Sequence, residues 1–222
     1  QITTAEIVNV KNLGAVAMGQ TVQVKVYVLG GKEYDYENFP ALSYEWRYNS
    51  PSSSDNITGG TERTFYIPTD AGYREWDNLY VEIKSGVEVV KEAIDVRGQL
   101  RSEDYGILYP VVYDSNFTLS EKIKDNNLLV LPTSHEVGGV RADITWSSDS
   151  PAIDVNTGNI TRPESGKASV TLTARCEYGT AFANRTFNIV IYSEEAAENE
   201  SDKSYLQEAA DSLGQWYGSI IP

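Results

Sequence analysis

Apolar and polar positions alternate with a period of two through most of this chain, most cleanly in two places. Over residues 144–178 (ITWSSDSPAIDVNTGNITRPESGKASVTLTARCEY), Val170, Leu172 and Ala174 fall on one face, and Ser169, Thr171 and Thr173 on the other. Over 21–29 (TVQVKVYVL), Val22, Val24, Val26 and Val28 oppose Gln23, Lys25 and Tyr27 until Gly30-Gly31 breaks the run. One apolar and one polar face at this period predicts antiparallel strands with one side in water. In the first half, further strands are expected at 6–10, 42–48, 63–67 and 78–84, and a last one at 87–96 reached through a hairpin at Ser85-Gly86. A polar loop is expected over 49–60. In the second half the expected strands are 128–131, ended by Pro132, then 143–147, 153–155, 159–161, 168–176 and 181–192. Asn156-Thr157-Gly158 and Tyr178-Gly179-Thr180 supply turns, and 135–139 reads as a loop.

Two helices are expected. A short one, capped by Thr118 or Ser120, would reach Lys124. The other covers 204–217, where Leu206, Ala209, Leu213 and Trp216 recur at helical spacing as an apolar stripe. Between the last strand and that helix, SEEAAENESDKS reads as an acidic linker, solvated or loosely helical. Arg97-Gly98-Gln99, followed by a polar link to Asp104, is the expected boundary. The domains are therefore 1–98, 99–193, and 194–222 as linker and helix.

Six or seven strands in just under a hundred residues have the count and spacing of a sandwich. Residues 3–97 resemble the Ig-like superfold through Trp46 in mid-strand and Asp70-Ala71-Gly72-Tyr73 before the strand at Asn78. The inter-sheet cysteines of that fold are missing, so Trp46 is expected to pack on valines. The second half resembles the atrophied bacterial Ig-like domain over about 104–193. The matching residues are Leu131, Pro132 and Thr133; Trp146, Ser147 and Ser148; Thr157 and Gly158; Thr161, Arg162 and Pro163; and Val170 through Ala174. The implied fold class is all-β: two tandem Ig-like antiparallel β-sandwiches with a short C-terminal helix. Such domains occur in long surface proteins and beside extracellular glycan-acting enzymes. The resemblance thus implies a bacterial extracellular or cell-surface location and a non-catalytic spacer or interaction segment.

Charge narrows the partners. A net charge of -14 with a pI near 4.5 opposes binding to nucleic acid or anionic membranes. Fifteen Tyr and four Trp against one Met favour sheet packing. Cys176 is the single cysteine, so no intramolecular disulfide is possible. No run of about 18 apolar residues predicts a membrane span. Opening at Gln1 and stopping at Pro222, the chain reads as a trimmed piece of an exported protein. Its helix would either pack on the second domain or, the favoured reading, lead to an adjacent domain of the same polypeptide beyond Pro222.

Few residues offer chemistry. Asp149, Asp154 and Asn156 carry oxygen ligands on a turn. A calcium loop needs Gly at its sixth position and Glu at its twelfth, whereas Gly158 is fifth and Glu164 eleventh, so turn-forming roles are expected. His135, the only histidine, lacks an evident partner. Cys176 closes a strand with only Arg175 adjacent and reads as structural. Glu33 with Asp35, and Asp70 with Glu75, are pairs expected by chance in an acidic chain. No catalytic residue, metal or cofactor is assigned. The aromatics Tyr34, Tyr36, Phe39, Tyr73 and Trp76 fall in predicted loops, where a ring is costly unless packed or used. Either they cover the loop-side core, or Tyr34, Tyr36, Tyr73 and Trp76 form a carbohydrate-binding surface. A surface glycan or a host or matrix protein would then be the partner.

Overall fold

The computed structural model describes residues 2–11, 15–48, 60–69, 72–85 and 92–220, with side chains except at 92–96, 201–202 and 214–220. The polar loop over 49–59, the Asp70-Ala71 turn, the hairpin turn at Gly86 and the side chain of Trp216 lie outside the described residues. The chain forms two compact units. One comprises 1–114 with 136–142 and 177–183; the other comprises 115–135, 143–176 and 184–222.

The first unit holds two three-stranded antiparallel sheets. β1 (Ile2–Asn9), β2 (Thr21–Val28) and β4 (Thr64–Tyr66) pair in the order β1-β2-β4, and β3 (Ser43–Tyr48), β5 (Asn78–Ser85) and β6 (Glu92–Gln99) in the order β3-β5-β6. The alternation dictates which side chains go in. β2 buries Val22, Val24 and Val26, β5 buries Leu79, Val81 and Ile83, and both triplets join one core with Trp46, Ile67 and Leu100. Each such burial is worth roughly 1.5–3 kcal/mol. Trp46 shares that core with the valines, but its ring partner is Phe65, stacked at 5.3 Å and 20°. Its indole N–H donates to the Glu62 carbonyl at 2.8 Å, so the buried polar atom is satisfied.

β6 runs on through Gly98 to Gln99, past the strand end expected at Val96. Gly98 marks close packing there, because a Cβ would sit 3.2 Å from the Val16 side chain. The polar link expected to follow it is instead the start of a helix, α1 (Glu103–Val112). The Ser102 hydroxyl caps it by accepting from the Tyr105 amide at 3.2 Å, and Glu103 and Asp104 favour its N-terminal end. α1 buries Gly106, Leu108, Val111 and Val112, and Pro110 lies in its last turn.

In the second half, β7 (Lys122–Ile123), β8 (Ser134–Val137), β9 (Val140–Ser148), β10 (Lys167–Tyr178) and β11 (Ala181–Tyr192) pair in the order β7-β11-β10-β9-β8. β7 is parallel to β11, with Lys122 opposite Val190 and Ile123 opposite Ile191. The helix expected to reach Lys124 is therefore absent: its last residues are this strand. The 128–131, 153–155 and 159–161 segments pair only through the isolated bridges Leu128–Asn159 and Ile153–Ile160. Val170 and Leu172 of β10, Ile189 and Ile191 of β11, and Ile123, Leu129, Ile153 and Ile160 form the core of the second unit.

The acidic stretch after Tyr192 is helical from its first residue. α2 runs from Glu194 to Ile220 without a linker. Glu194 and Glu195 occupy the first turn, the buried Ser193 hydroxyl accepts from the Ala196 amide at 3.1 Å, and Lys167 pairs with Glu200 at 3.2 Å. Carboxylates at a helix N-terminus and alanines behind them explain why an acidic run folds as helix. From Lys203 to Leu213 every side chain is exposed, Leu206, Ala209 and Leu213 included.

Candidate functional site

The residues that could carry chemistry are engaged in structure. Asp154 organises the turn before Gly158: its carboxylate accepts from the Asn156 amide at 2.9 Å and the Thr157 hydroxyl at 2.9 Å. Those bonds, the Asn156 amide first, hold its carboxyl below the usual range. Asp149 accepts from the Thr171 amide at 2.8 Å. His135 lies in β8, not in a loop, and stacks on Phe117 at 4.9 Å. Cys176 is buried on the core face of β10, and burial pushes its thiol up to about 11 against the weaker pull of Arg185. A thiol held that high is no nucleophile near neutrality. Asp35 accepts from the Glu37 and Asn38 amides, Glu33 pairs with Arg63 at 3.5 Å, and Glu75 pairs with Arg101 at 3.3 Å. Among the described residues, no three His, Cys, Asp or Glu side chains come together as a metal site.

The loop aromatics separate into three groups. Tyr34 is 8% exposed, donates its hydroxyl to the Pro40 carbonyl at 2.7 Å, and meets Tyr36 and Phe39 edge-on at 5.5 Å each. The Tyr36 hydroxyl accepts from the Val26 amide at 2.9 Å, and the Arg63 guanidinium covers its ring at 3.6 Å. These two rings dock their loop onto β2. Tyr73 is 9% exposed and packs T-shaped on Tyr48 at 4.6 Å. Burial raises the phenol pKa of both Tyr34 and Tyr73. Among the described residues, no ring contact joins Tyr34 or Tyr36 to Tyr73 or Trp76.

Trp76 behaves differently. It is 56% exposed, and at φ 76° it is the one non-glycine residue with positive φ among the described residues. Such a backbone is unfavourable for a bulky side chain. Hydrogen bonds enforce it. The Asp77 amide donates to the Arg74 carbonyl at 3.0 Å, and the Asp77 carboxylate accepts from the Arg74 amide at 2.8 Å. The Trp76 amide donates to Leu100 at 2.7 Å, and the Leu100 amide to Asp77 at 2.8 Å. The turn sets the indole over the Arg101 guanidinium at 4.2 Å, and Tyr105 covers the same guanidinium at 3.8 Å. The Arg101 Nε is buried and makes no hydrogen bond, meeting Glu75 only as an ion pair. Tyr105, Tyr109 and Tyr113 continue the row along α1, with centroids 6.2 and 4.5 Å apart and planes tilted by 48° and 41°.

Reasoning from loop aromatics alone thus finds Trp76 but misses Arg101, Tyr105, Tyr109 and Tyr113. A signal was available: three tyrosines four residues apart behind a Ser-Glu-Asp start share one face of a helix.

Residues 120–194 match the atrophied bacterial Ig domain family, a stretch that holds every motif residue from Leu131 to Ala174. No curated protein matches the chain. Among solved structures, Drosophila N-cadherin EC1-4 aligns at 10% identity over 86% of this chain and 66% of its own, just under two thirds, with a TM-score of 0.22. Human protocadherin-24 EC1-2 aligns at 12% identity over 87% and 98% of the two chains, with a TM-score of 0.22. Likenesses at that score carry no argument. The all-β assignment rests on the sheets themselves and on the family match.

Proposed function

We propose that this chain is a non-catalytic spacer and interaction segment of a bacterial cell-surface or secreted protein, presenting a neighbouring module of the same polypeptide. The observation that carries the reading is how its reactive groups are used. The lone cysteine is buried with its thiol pushed up to about 11, and the lone histidine is stacked on a phenylalanine. The carboxylates of Asp35 and Asp154 organise turns. The net charge of -14 disfavours adhesion to anionic surfaces.

Protease shaving of intact cells of the source bacterium, followed by peptide mass spectrometry, tests the location. Peptides from exposed segments such as 203–213 are expected from intact cells. Their appearance only after lysis overturns the surface reading. The spacer role is tested in the parent polypeptide by replacing 1–193 with an unrelated pair of sandwiches of similar length. The activity of the neighbouring module is expected to survive, and its loss refutes a passive role. The carbohydrate alternative keeps Trp76 in its favour, since that ring is exposed.

A further inference from the structure

We propose that Trp76, held over Arg101, is a stacking platform for one pyranose ring of a neutral, gluco-configured oligosaccharide, and that the hydroxyls of Tyr105, Tyr109 and Tyr113 line the path of the adjoining sugars. The proposal rests on the interaction half of the reading above; the spacer half stands without it.

Four observations lead to this ligand. The first is the strained backbone: an exposed indole at φ 76° is kept where glycine would sit freely, and four hydrogen bonds fix it there. Strain retained at an exposed position marks a side chain whose placement is used. The second is rigidity. The cation–π contact with Arg101, itself clasped by Tyr105, pins the ring while more than half of the residue stays in water. A pre-oriented aromatic face loses little freedom on binding.

The third observation is charge. Glu75 pairs with Arg101, and the Asp77 carboxylate stands at the backbone of Arg74, so the charges around the ring sum to zero and give a sulfated or carboxylated ligand no net attraction. The acidic chain as a whole repels such ligands as well. Exposed Arg74 and Glu75 flank the ring in the same turn and offer a donor and an acceptor to vicinal hydroxyls.

The fourth is shape. Trp76 presents a flat face, which suits the C–H face of a pyranose whose hydroxyls are all equatorial. The tyrosine rungs lean on one another at 41–48°. They therefore present edges and hydroxyls, not further coplanar platforms. One stacked sugar with hydrogen-bonded neighbours follows from that geometry. A polyproline segment needs grooves between parallel ridges, and that arrangement fits it less well.

The test is calorimetric titration of the whole chain with cellohexaose and with chitohexaose, which separate plain from N-acetylated chains. A heparin hexasaccharide and a decaproline peptide serve as comparators. At least one neutral hexasaccharide is expected to saturate, and both comparators to stay silent. Trp76→Gly is expected to weaken binding tenfold or more while the melting temperature of the first unit holds or rises, since glycine adopts the backbone without strain. Trp76→Tyr keeps a smaller ring and is expected to retain part of the affinity. Tyr34→Phe, remote from the row, is expected to bind as wild type.

The proposal is overturned if neither hexasaccharide binds, if heparin or decaproline binds in their place, or if Trp76→Gly binds undiminished. It is also overturned if Trp76→Gly melts lower while Trp76→Tyr does not bind, because the indole is then a structural staple. A blank titration leaves the surface-shaving result, and the spacer reading with it, unaffected.

Discussion

Replacing Gly158 by alanine probes the second unit at a tight turn, and Gly166 supplies a control in the same unit. Both glycines have positive φ, 75° and 70°. A Cβ on Gly166 meets nothing within 4 Å, whereas one on Gly158 would lie 2.1 Å from the backbone carbonyl oxygen of Leu129. Left-handed backbone costs a non-glycine residue about 1–2 kcal/mol, so Gly166→Ala is expected to destabilise by about 1 kcal/mol. Gly158→Ala carries that same cost, and the clash adds to it. Its obstacle is backbone, not a flexible side chain, so the turn must move away from the 127–131 segment. Moving it stretches the hydrogen bond from the Leu129 amide to the Gly158 carbonyl (2.9 Å) and disturbs that from Ile160 to Asn127 (2.9 Å). Overpacking costs about 1–3 kcal/mol, and a lost hydrogen bond about 1 kcal/mol. The expected total is roughly 4 kcal/mol, a large share of a typical domain's stability. Native-state hydrogen exchange at Val170, Leu172 and Ala174 reads the opening free energy of this unit directly. Equal losses for the two variants, within about 0.5 kcal/mol, would refute the reasoning, because the contact with Leu129 would then contribute nothing.

Asp154→Ala removes a carboxylate held below its usual range by the Asn156 amide and the Thr157 hydroxyl. A depressed carboxyl stabilises the fold above its unfolded pKa, near 3.9, and loses that effect as pH falls through the folded value. The stability gap between wild type and variant should therefore narrow below about pH 4 in denaturant titrations, and a gap that widens on acidification contradicts this. Arg162 donates to the Asn127 side chain at 2.7 Å, the Tyr192 carbonyl at 2.7 Å and the Asn126 carbonyl at 3.0 Å. Lysine cannot reproduce that fork, so Arg162→Lys is expected to cost about 2 kcal/mol by the same exchange measurement; a neutral result sinks the idea. Cys176, buried with its thiol at about 11, should resist a disulfide reagent at pH 8 and react fully in denaturant. Prompt reaction of the native protein would show the strand opening.

The strands were legible because one physical rule wrote them. The alternation in 21–28 and 168–176 reappears as burial of Val22, Val24 and Val26 and of Val170, Leu172, Ala174 and Cys176. The errors fall where two rules compete. Pro110 and Gly106 argue locally against a helix, yet Leu108, Val111 and Val112 gain enough by burial to form α1. Thr118 and Ser120 resemble caps, but the residues after them pair with β11 through the Val190 amide, which donates to the Glu121 carbonyl at 2.7 Å. His135 looked like a loop residue beside Gly138-Gly139, and those glycines turn out to be the turn of a hairpin whose first strand includes it. At the aromatic row, Trp76 stood out by residue type. Its backbone strain and its Arg101 support depend on hydrogen bonds exchanged with Leu100, a contact that no local pattern announces.

The parallel pairing of β7 with β11 has a mechanical meaning. β7 lies soon after the first residues of the second unit and β11 ends just before α2, so a pull applied at 115 and at 193 would drag the two strands past each other in shear. Shear loads its bonds together; an antiparallel hairpin pulled from its open end unzips them one at a time. With two residue pairs the clamp is short, and Arg162 lengthens it by tying the carbonyl of Asn126 and the side chain of Asn127, just past β7, to the carbonyl of Tyr192 at the end of β11. Lifetime under load follows the unfolding rate, not the equilibrium stability. Removing that guanidinium is therefore expected to shorten the time this unit endures tension, as drawing a rivet weakens a lap joint.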